Sequence, residues 1–558
     1  MEYLIFCVVT VAIILFVFIQ GKRDEQRQLR LFMQKLRDDK GKVPDKEYKV
    51  ERFVRIPGYF EKHQEEFQID DITWNDLAMD EVFCRINYSI SSTGDEVLYH
   101  MLRTPCMEQE KLKHFHEMAD FFLQNDEERL QYQGFMRKLG STGKYSLYDY
   151  LYYLERLEKR DNKKELLSVC VLPILIVIAY FELSMGVALL MVWMMYQMFG
   201  YFKIKKDNEP YLTSLAYIMR LIEVGEVVSK KLPAVCKKES EELLYATKEL
   251  KGAKKGCFWI FGNIYKTGSP LDVVFDYIRM VFHVDLIYFN HMLKELMNHK
   301  EQVDAMVTIM GTVEAAVSVA LYRASLDKGW CIPKFKDGEM CVEQGYHPLI
   351  ENPVKNSIYT QKNVLLTGSN ASGKSTFLKT MALSSLLAQT IYTVTADKYE
   401  APMYYLYSSM SLKDDLESGD SYYIVEIKSI KRILDSMQNT ERKVLCFVDE
   451  VLRGTNTVER IAASTQILLS MTGENIQCFA ATHDIELTGL LEGPFENYHF
   501  EEEIKDGDVL FNYQLQPGKA TTRNAIKLLE IMGYEPEIIE SARKQADVFL
   551  KQGVWELS

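Results

Sequence analysis

The sequence predicts a multidomain α + α/β protein, in which a largely helical core and lever region with transmembrane helices leads into an α/β phosphate-loop (P-loop) domain. Three observations point there. Gly368 to Thr376 reads GSNASGKST, set between an apolar run suited to a buried strand (Asn363 to Thr367) and an apolar helical stretch (Phe377 to Gln389). Two stretches, Tyr3 to Gln20 and Leu166 to Phe202, are apolar and nearly free of charge. Most of the remaining chain before about residue 330 carries the period of helices with one buried face.

At 558 residues and 47 % hydrophobic content, the chain is long enough for several domains with substantial cores. A net charge of −13 argues against a broadly basic nucleic-acid-binding surface, while leaving room for a local basic channel. Ten cysteines are scattered without C-x-x-C pairs, which suits reduced thiols in a cytoplasm and gives no reason to expect a structural metal.

In chain order, residues 1–23 read as a membrane anchor. The rival is a cleaved signal peptide, which fits less well because no basic residue precedes the run and no small-x-small site comes after it. Lys22 and Arg23 place the rest of the chain in the cytoplasm. Residues 24–47 are highly charged and read as a solvated stalk. Residues 48–165 read as a first helical core, with SSTGDEVLYHMLRTP forming a helix stopped by Pro105.

Residues 166–202 read as a membrane hairpin, with arms Leu166 to Phe181 and Met185 to Tyr201 turning at Glu182, Ser184 and Gly186, and lysines at both cytoplasmic ends. A buried helix pair in a soluble core is the alternative. Residues 203–330 return to helical periodicity and end in MGTVEAAVSVALYR; His283, His291 and Glu295 there lack further ligands and receive no role. Residues 331–517 form the α/β domain, and 518–558 a helical C-terminal segment.

Four motifs carry chemistry. Gly368 and Gly373 let the loop backbone approach a ligand, so that the N–H groups of Gly368, Ser369, Asn370, Ala371, Ser372, Gly373, Lys374, Ser375 and Thr376 and the adjoining helix start face phosphate oxygens. Lys374 would reach the β- and γ-phosphates and Ser375 a magnesium ion. In VLCFVDE (Val444 to Glu450) a central strand delivers two acids, Asp449 for magnesium and Glu450 to orient or deprotonate water. FAATHD (Phe479 to Asp484) offers His483 as a sensor of the γ-phosphate. DDLESGDS (Asp414 to Ser421) before a helix is a second anion cradle, and two cradles in one subunit suggest a head-to-tail homodimer with Ser421 acting in trans and Arg453 to Thr457 at the interface.

TGSNASGKST, DDLESGDS, VDEVLRGTNT and ATHD resemble, in order and spacing, the ATPase domain of the MutS family, an ABC-type ATPase known from DNA mismatch repair. The resemblance covers roughly Tyr346 to Ala546 and is looser upstream. It implies ATP and Mg2+ as cofactors, Gly368, Gly373, Lys374 and Ser375 on phosphate and metal, Asp449 and Glu450 on metal and water, His483 on the γ-phosphate, Ser421 in trans, and a dimer braced by GKATTRNAIKLLEIMGYEPEIIESAR. Two departures stand out. Nothing before Tyr48 has room for the family's mismatch-recognition domain, Tyr59-Phe60-Glu61 being a chance string, and Asp420 stands where the family usually has arginine.

The sequence therefore leads to a multi-pass protein of the cell membrane with a cytoplasmic ATPase domain, and two functions stay open. One is an ATPase coupled to mismatched or branched DNA. The other is a mechanochemical ATPase acting on the membrane or a protein partner, its hairpin standing where the family's DNA clamp would be. A small-molecule exporter fits poorly, because three short spans offer no substrate pathway.

Overall fold

A computed structural model of the chain describes residues 2–44, 50–156, 162–261, 270–369, 372–410, 422–438, 441–453, 455–505, 508–520, 526, 529–530 and 532–552. The chain clusters into two units that it enters three times each. Unit 1 is Met1–Gln64, Ile86–His100 and His116–Ser325; unit 2 is Glu65–Arg85, Met101–Phe115 and Leu326–Ser558.

Unit 1 is helical. Its first helix, α1 (Glu2–Asp38), runs unbroken through the expected boundary between anchor and stalk. The side chains of residues 1–15, most of the expected anchor, lie outside the described ones. Helices α2 (Lys163–Phe181) and α3 (Leu183–Val228) meet at Glu182 as a hairpin whose tip packs closely: a Cβ on Gly186 would lie 2.1 Å from the Ala179 Cα. The outer faces present Tyr180, Phe181 and Leu183, each more than 70 % exposed.

The expected second arm ended at Tyr201, whereas α3 continues for 46 residues, about 70 Å at 1.5 Å per residue. Its later turns regain a core-facing stripe, with Leu215, Ile218, Leu221 and Ile222 buried. One helix thus passes from the exposed apolar stretch into the packed unit.

Among the described residues two helices have the length and composition to cross a membrane, Leu183–Lys205 within α3 and α4 (Lys300–Ala324). They part on burial: 83 % of the α4 window is buried inside the protein and 17 % of the α3 window. Helix α4 is therefore a core helix. The first hairpin arm has only the shorter apolar stretch Val169–Phe181, about 20 Å long at 1.5 Å per residue and less than a bilayer core of about 30 Å. Inside unit 1, the α4 carboxylate of Glu314 accepts hydrogen bonds from Ile90 N at 2.6 Å, Ser91 N at 3.0 Å and Ser91 Oγ. It so caps the helix Ser92–Arg103 expected from SSTGDEVLYHMLRTP.

Unit 2 is α/β. Strands β1 (Lys334–Phe335), β2 (Met340–Gly345) and β3 (Asn356–Thr360) join β5 (Lys398–Ala401) in a four-stranded sheet of order β1-β5-β2-β3. The main sheet has order β10-β9-β4-β8-β7-β6, formed by β4 (Asn363–Thr367), β6 (Tyr405–Ser409), β7 (Val444–Asp449), β8 (Ile476–Ala481), β9 (Phe495–Lys505) and β10 (Asp508–Pro517). Among the described residues of this sheet, only the β10–β9 pairing is antiparallel. Every residue of β4 is buried, as a continuous apolar run demands of a strand covered on both faces. Around the sheet lie α5 (Lys374–Thr390), α6 (Tyr422–Gln438) and α7 (Thr457–Ser470), with α8 (Pro536–Gln552) near the C-terminus.

Where the sequence placed the α/β domain after residue 330, residues 65–85 and 101–115 also belong to this unit. The reason lies at the sheet edge. Strand β6 is an edge strand, and its Ser408 N donates to Thr73 Oγ1 at 3.1 Å while Met410 N just beyond it donates to Asp76 Oδ2 at 2.9 Å. Phe67 stacks on Tyr405 with centroids 4.1 Å apart. Side chains from far upstream in sequence thus satisfy and cover an edge that would otherwise be open to pairing.

Candidate active site

The parallel register brings the chemistry to one end of the main sheet. Leu366 pairs with Ala481 and Asp449 with Ala481, so β4, β7 and β8 finish level and the segments beyond them converge. This is the carboxyl edge, where open α/β sheets bind ligands. A cleft of 860 Å³ opens there, lined by Ser369, Ser372 to Phe377, Lys379, Asp449, Glu450, Arg453 and His483, with Ile350, Pro353 and Val354 forming an apolar wall.

The turn after β4 uses glycine where glycine is needed. Gly368 has φ 146° and Gly373 φ 109°, and a Cβ on Gly368 would lie 2.8 Å from the Phe500 carbonyl oxygen. Gly373 is the N-cap of α5, and Lys374 is its first residue. Lys374 Nζ donates to the carbonyls of Gly368 and Ser369, both at 2.8 Å, and lies 3.5 Å from His483 Nε2. Burial pushes its ammonium down to about 8 against the opposing pull of Asp449 and Glu450. Ser369 Oγ donates to Glu502 at 2.8 Å, and Thr376 lends its carbonyl to Thr380. Ser372 is buried and its Oγ has no hydrogen-bond partner among the described residues. Asn370 and Ala371 lie outside the described residues.

Ser375 Oγ donates to Asp449 Oδ2. Two oxygen donors side by side, one of them a carboxylate that burial pushes above its usual range, form the hard donor set that suits Mg2+ next to phosphates. Glu450 faces them. Burial opposes its charge, but hydrogen bonds from His483 and Arg453 prevail and draw its carboxyl to about 2. His483 Nε2 lies 2.7 Å from Glu450 Oε1, and Arg453 Nε pairs with Oε2. Asp484, the residue after His483, accepts a two-pronged ion pair from Arg460 on α7 at 2.9 and 2.6 Å.

The structure brings Lys374, Ser375, Asp449, Glu450 and His483 together in this cleft. Ser421 and its DDLESGDS turn lie outside the described residues, as does Gly454 within RGTNT. The sequence reading missed the grip of Arg453 on Glu450, the anchoring of Asp484 by Arg460, and the aromatic floor of Phe500 and Tyr513 beneath Gly373. Arg453 sits three residues after Glu450, a short-range signal that could have been read; β9 and β10 supply the floor from more than a hundred residues away.

A family profile described as MutS domain V matches residues 364–549, spanning the main sheet from β4 onward and most of α8. Among curated proteins, the DNA mismatch repair protein MutS of Thermus thermophilus is 32 % identical over 235 residues, 41 % of this chain and 28 % of that protein. That of Aquifex pyrophilus is 29 % identical over 269 residues, 46 % and 31 % of the two chains. The human MutS protein homolog 4 is 29 % identical over 288 residues, 48 % and 30 %. The similarity spans less than a third of each relative's length.

Proposed function

Because the chain belongs to the MutS family through this C-terminal domain, we propose that it is a membrane-anchored ATPase that binds and hydrolyses Mg-ATP as a homodimer and couples the reaction to binding of mismatched or branched DNA. The observation that carries the ATPase is the convergence of Lys374, the Ser375–Asp449 donor pair and the Glu450–His483 pair in one cleft.

In this reading the 368–376 turn and the start of α5 hold the β- and γ-phosphates, with Lys374 as the charged contact. Ser375 and Asp449 would hold Mg2+, which supplies charge neutralisation on the phosphate oxygens. Water attacks the γ-phosphorus, the bond to the β-phosphate oxygen breaks, and ADP and phosphate leave. A carboxyl drawn to about 2 is a weak base, so Glu450 serves to orient the water and stabilise its developing charge rather than to take its proton in the ground state. His483 engages Glu450 here, and acting on the γ-phosphate requires exchanging that contact. Ser421 completes the partner's site in trans.

The DNA limb draws on the relatives named for mismatch repair. Its test is steady-state ATPase of the detergent-solubilised protein with and without mismatched duplex, at low and physiological salt. Stimulation or inhibition that fades with salt is expected from phosphate contacts. A rate indifferent to DNA contradicts this limb and favours the second reading, a mechanochemical ATPase working on a membrane or protein partner.

That second reading has its own observation: a largely exposed apolar stretch, Leu183–Lys205, continuous with a helix packed into unit 1. Both readings place the protein in the cell membrane with its ATPase domain in the cytoplasm. Crosslinkers installed within 166–202 are expected to label lipid; labelling of DNA from those positions would place a DNA clamp there instead.

A further inference from the structure

The turn after β7 is held in an unfavourable backbone shape. Glu450 has φ 58° and Leu452 φ 59°, both in the left-handed region that side chains disfavour. Neither is a glycine, so surrounding bonds must keep the shape. Glu450 N donates to Ala481 O at 2.9 Å, and Ser464 Oγ from α7 donates to Val451 O at 3.0 Å. The N–H groups of Leu452 and Arg453 both donate to one oxygen, Oε1 of Glu426.

Glu426 is an unusual residue for that task. It lies in the second turn of α6, only 3 % exposed, and its other oxygen, Oε2, is buried without a hydrogen-bond partner among the described residues. No cation is paired with it at salt-bridge distance among the described residues. Burial accordingly raises its carboxyl above the usual range, with the two backbone donors pulling the other way. An acidic side chain with one oxygen aimed at a strained turn and the other given nothing is poorly explained by packing alone.

We propose that Glu426 is a positioning residue: it fixes the 450–453 turn in the shape that presents Glu450 to the cleft, and thereby couples the start of α6 to the site of hydrolysis. This rests on the reading of Glu450 as the residue that orients water. Helix α6 begins at Tyr422, four residues before Glu426, so a shift of that helix start reaches Glu450 through a single carboxylate.

The test compares Glu426→Ala and Glu426→Gln in the full-length detergent-solubilised protein by kcat, KM for ATP and Kd for a fluorescent ADP analogue. Alanine leaves the buried Leu452 N–H and the part-buried Arg453 N–H without this acceptor and is expected to lower kcat by at least about tenfold, with KM and Kd within about twofold of wild type. Glutamine keeps a carbonyl oxygen in place and is expected to retain most of the rate, within about threefold. A merely structural role would lower the melting temperature and leave kcat intact, or weaken kcat and binding together; either result overturns the proposal.

If the alanine variant does not fold, Ser464→Ala removes the bond to Val451 O from the other side of the turn. It is expected to lower kcat by about threefold at unchanged KM, and an unchanged kcat overturns the proposal. Absence of any wild-type hydrolysis above a Glu450→Gln blank would instead overturn the ATPase reading, and with it this one. Hydrolysis that is present but insensitive to these variants overturns only the role of Glu426.

Discussion

Two turns border the same cleft, and they reach left-handed backbone by opposite means. At Gly368 and Gly373 the residue type itself removes the penalty, and the turn is specified by its own sequence. At Glu450 and Leu452 the side chains oppose the conformation, and it persists because Ala481, Ser464 and Glu426 hold the surrounding backbone from a strand and two helices. The first turn is a prepared cradle. The second depends on the placement of its neighbours, which, on the proposed ATPase reading, makes it the better place to regulate hydrolysis without disturbing binding.

The contrast can be broken at several points, beginning with the largest effect. Glu450→Gln is expected to lower kcat by about a hundredfold or more while leaving nucleotide affinity nearly unchanged, as single-turnover rates beside equilibrium binding would show. If affinity falls with the rate, the two turns are not separable in function.

Gly368→Ala attacks the other turn. Its new Cβ would meet the Phe500 carbonyl at 2.8 Å with φ at 146°, so affinity for nucleotide is expected to fall by about thirtyfold, measurable by titration calorimetry.

A third effect is set by pH. Burial holds the Lys374 ammonium at about 8, below its usual value, so above that pH the free site loses its charge while phosphate binding requires it. Affinity for ATP is therefore expected to fall as pH rises through 8, by about tenfold between pH 8.5 and 9.5, with no matching loss below pH 7. A flat profile would mean that the lysine stays charged in the free protein.

Smaller effects sharpen the comparison. Arg460→Ala removes the ion pair that holds Asp484, the residue after His483, and kcat is expected to drop by about fivefold at unchanged KM. Ser369→Ala removes one hydrogen bond to Glu502 and is expected to change either constant by less than about twofold.

The same division explains what could be read from the chain alone. The phosphate loop, the strand Val444–Asp449 ending in acids and the strand Ile476–Ala481 preceding His483 were legible because each is local, an apolar run leading at once into the residues it delivers. Glu426 was not, since nothing in YYIVEIKS says that its fifth residue will turn inward to a loop 26 residues on. Nor were residues 65–85 legible as part of the α/β unit. Asp76 and Thr73 reveal themselves only when the open edge of β6 is in place to receive them.

Membrane signals show a related limit. Leu183–Lys205 and Lys300–Ala324 both pass as spans by composition, and only packing separates the exposed one from the buried one. The hairpin itself was legible, because Glu182, Ser184 and Gly186 interrupt the apolar run. The continuation of α3 to Val228 was not, because the lysines after Phe202 read as the end of an apolar span but do not break the helix.

The most direct measurement is single-turnover hydrolysis of ATP, run beside nucleotide binding, for wild type, Lys374→Ala and Glu450→Gln in detergent with Mg2+. Loss of binding in the lysine variant, together with intact binding but lost hydrolysis in the glutamine variant, is the expected result. Hydrolysis by Glu450→Gln at the wild-type rate would contradict the assignment of this cleft as the site of ATP hydrolysis.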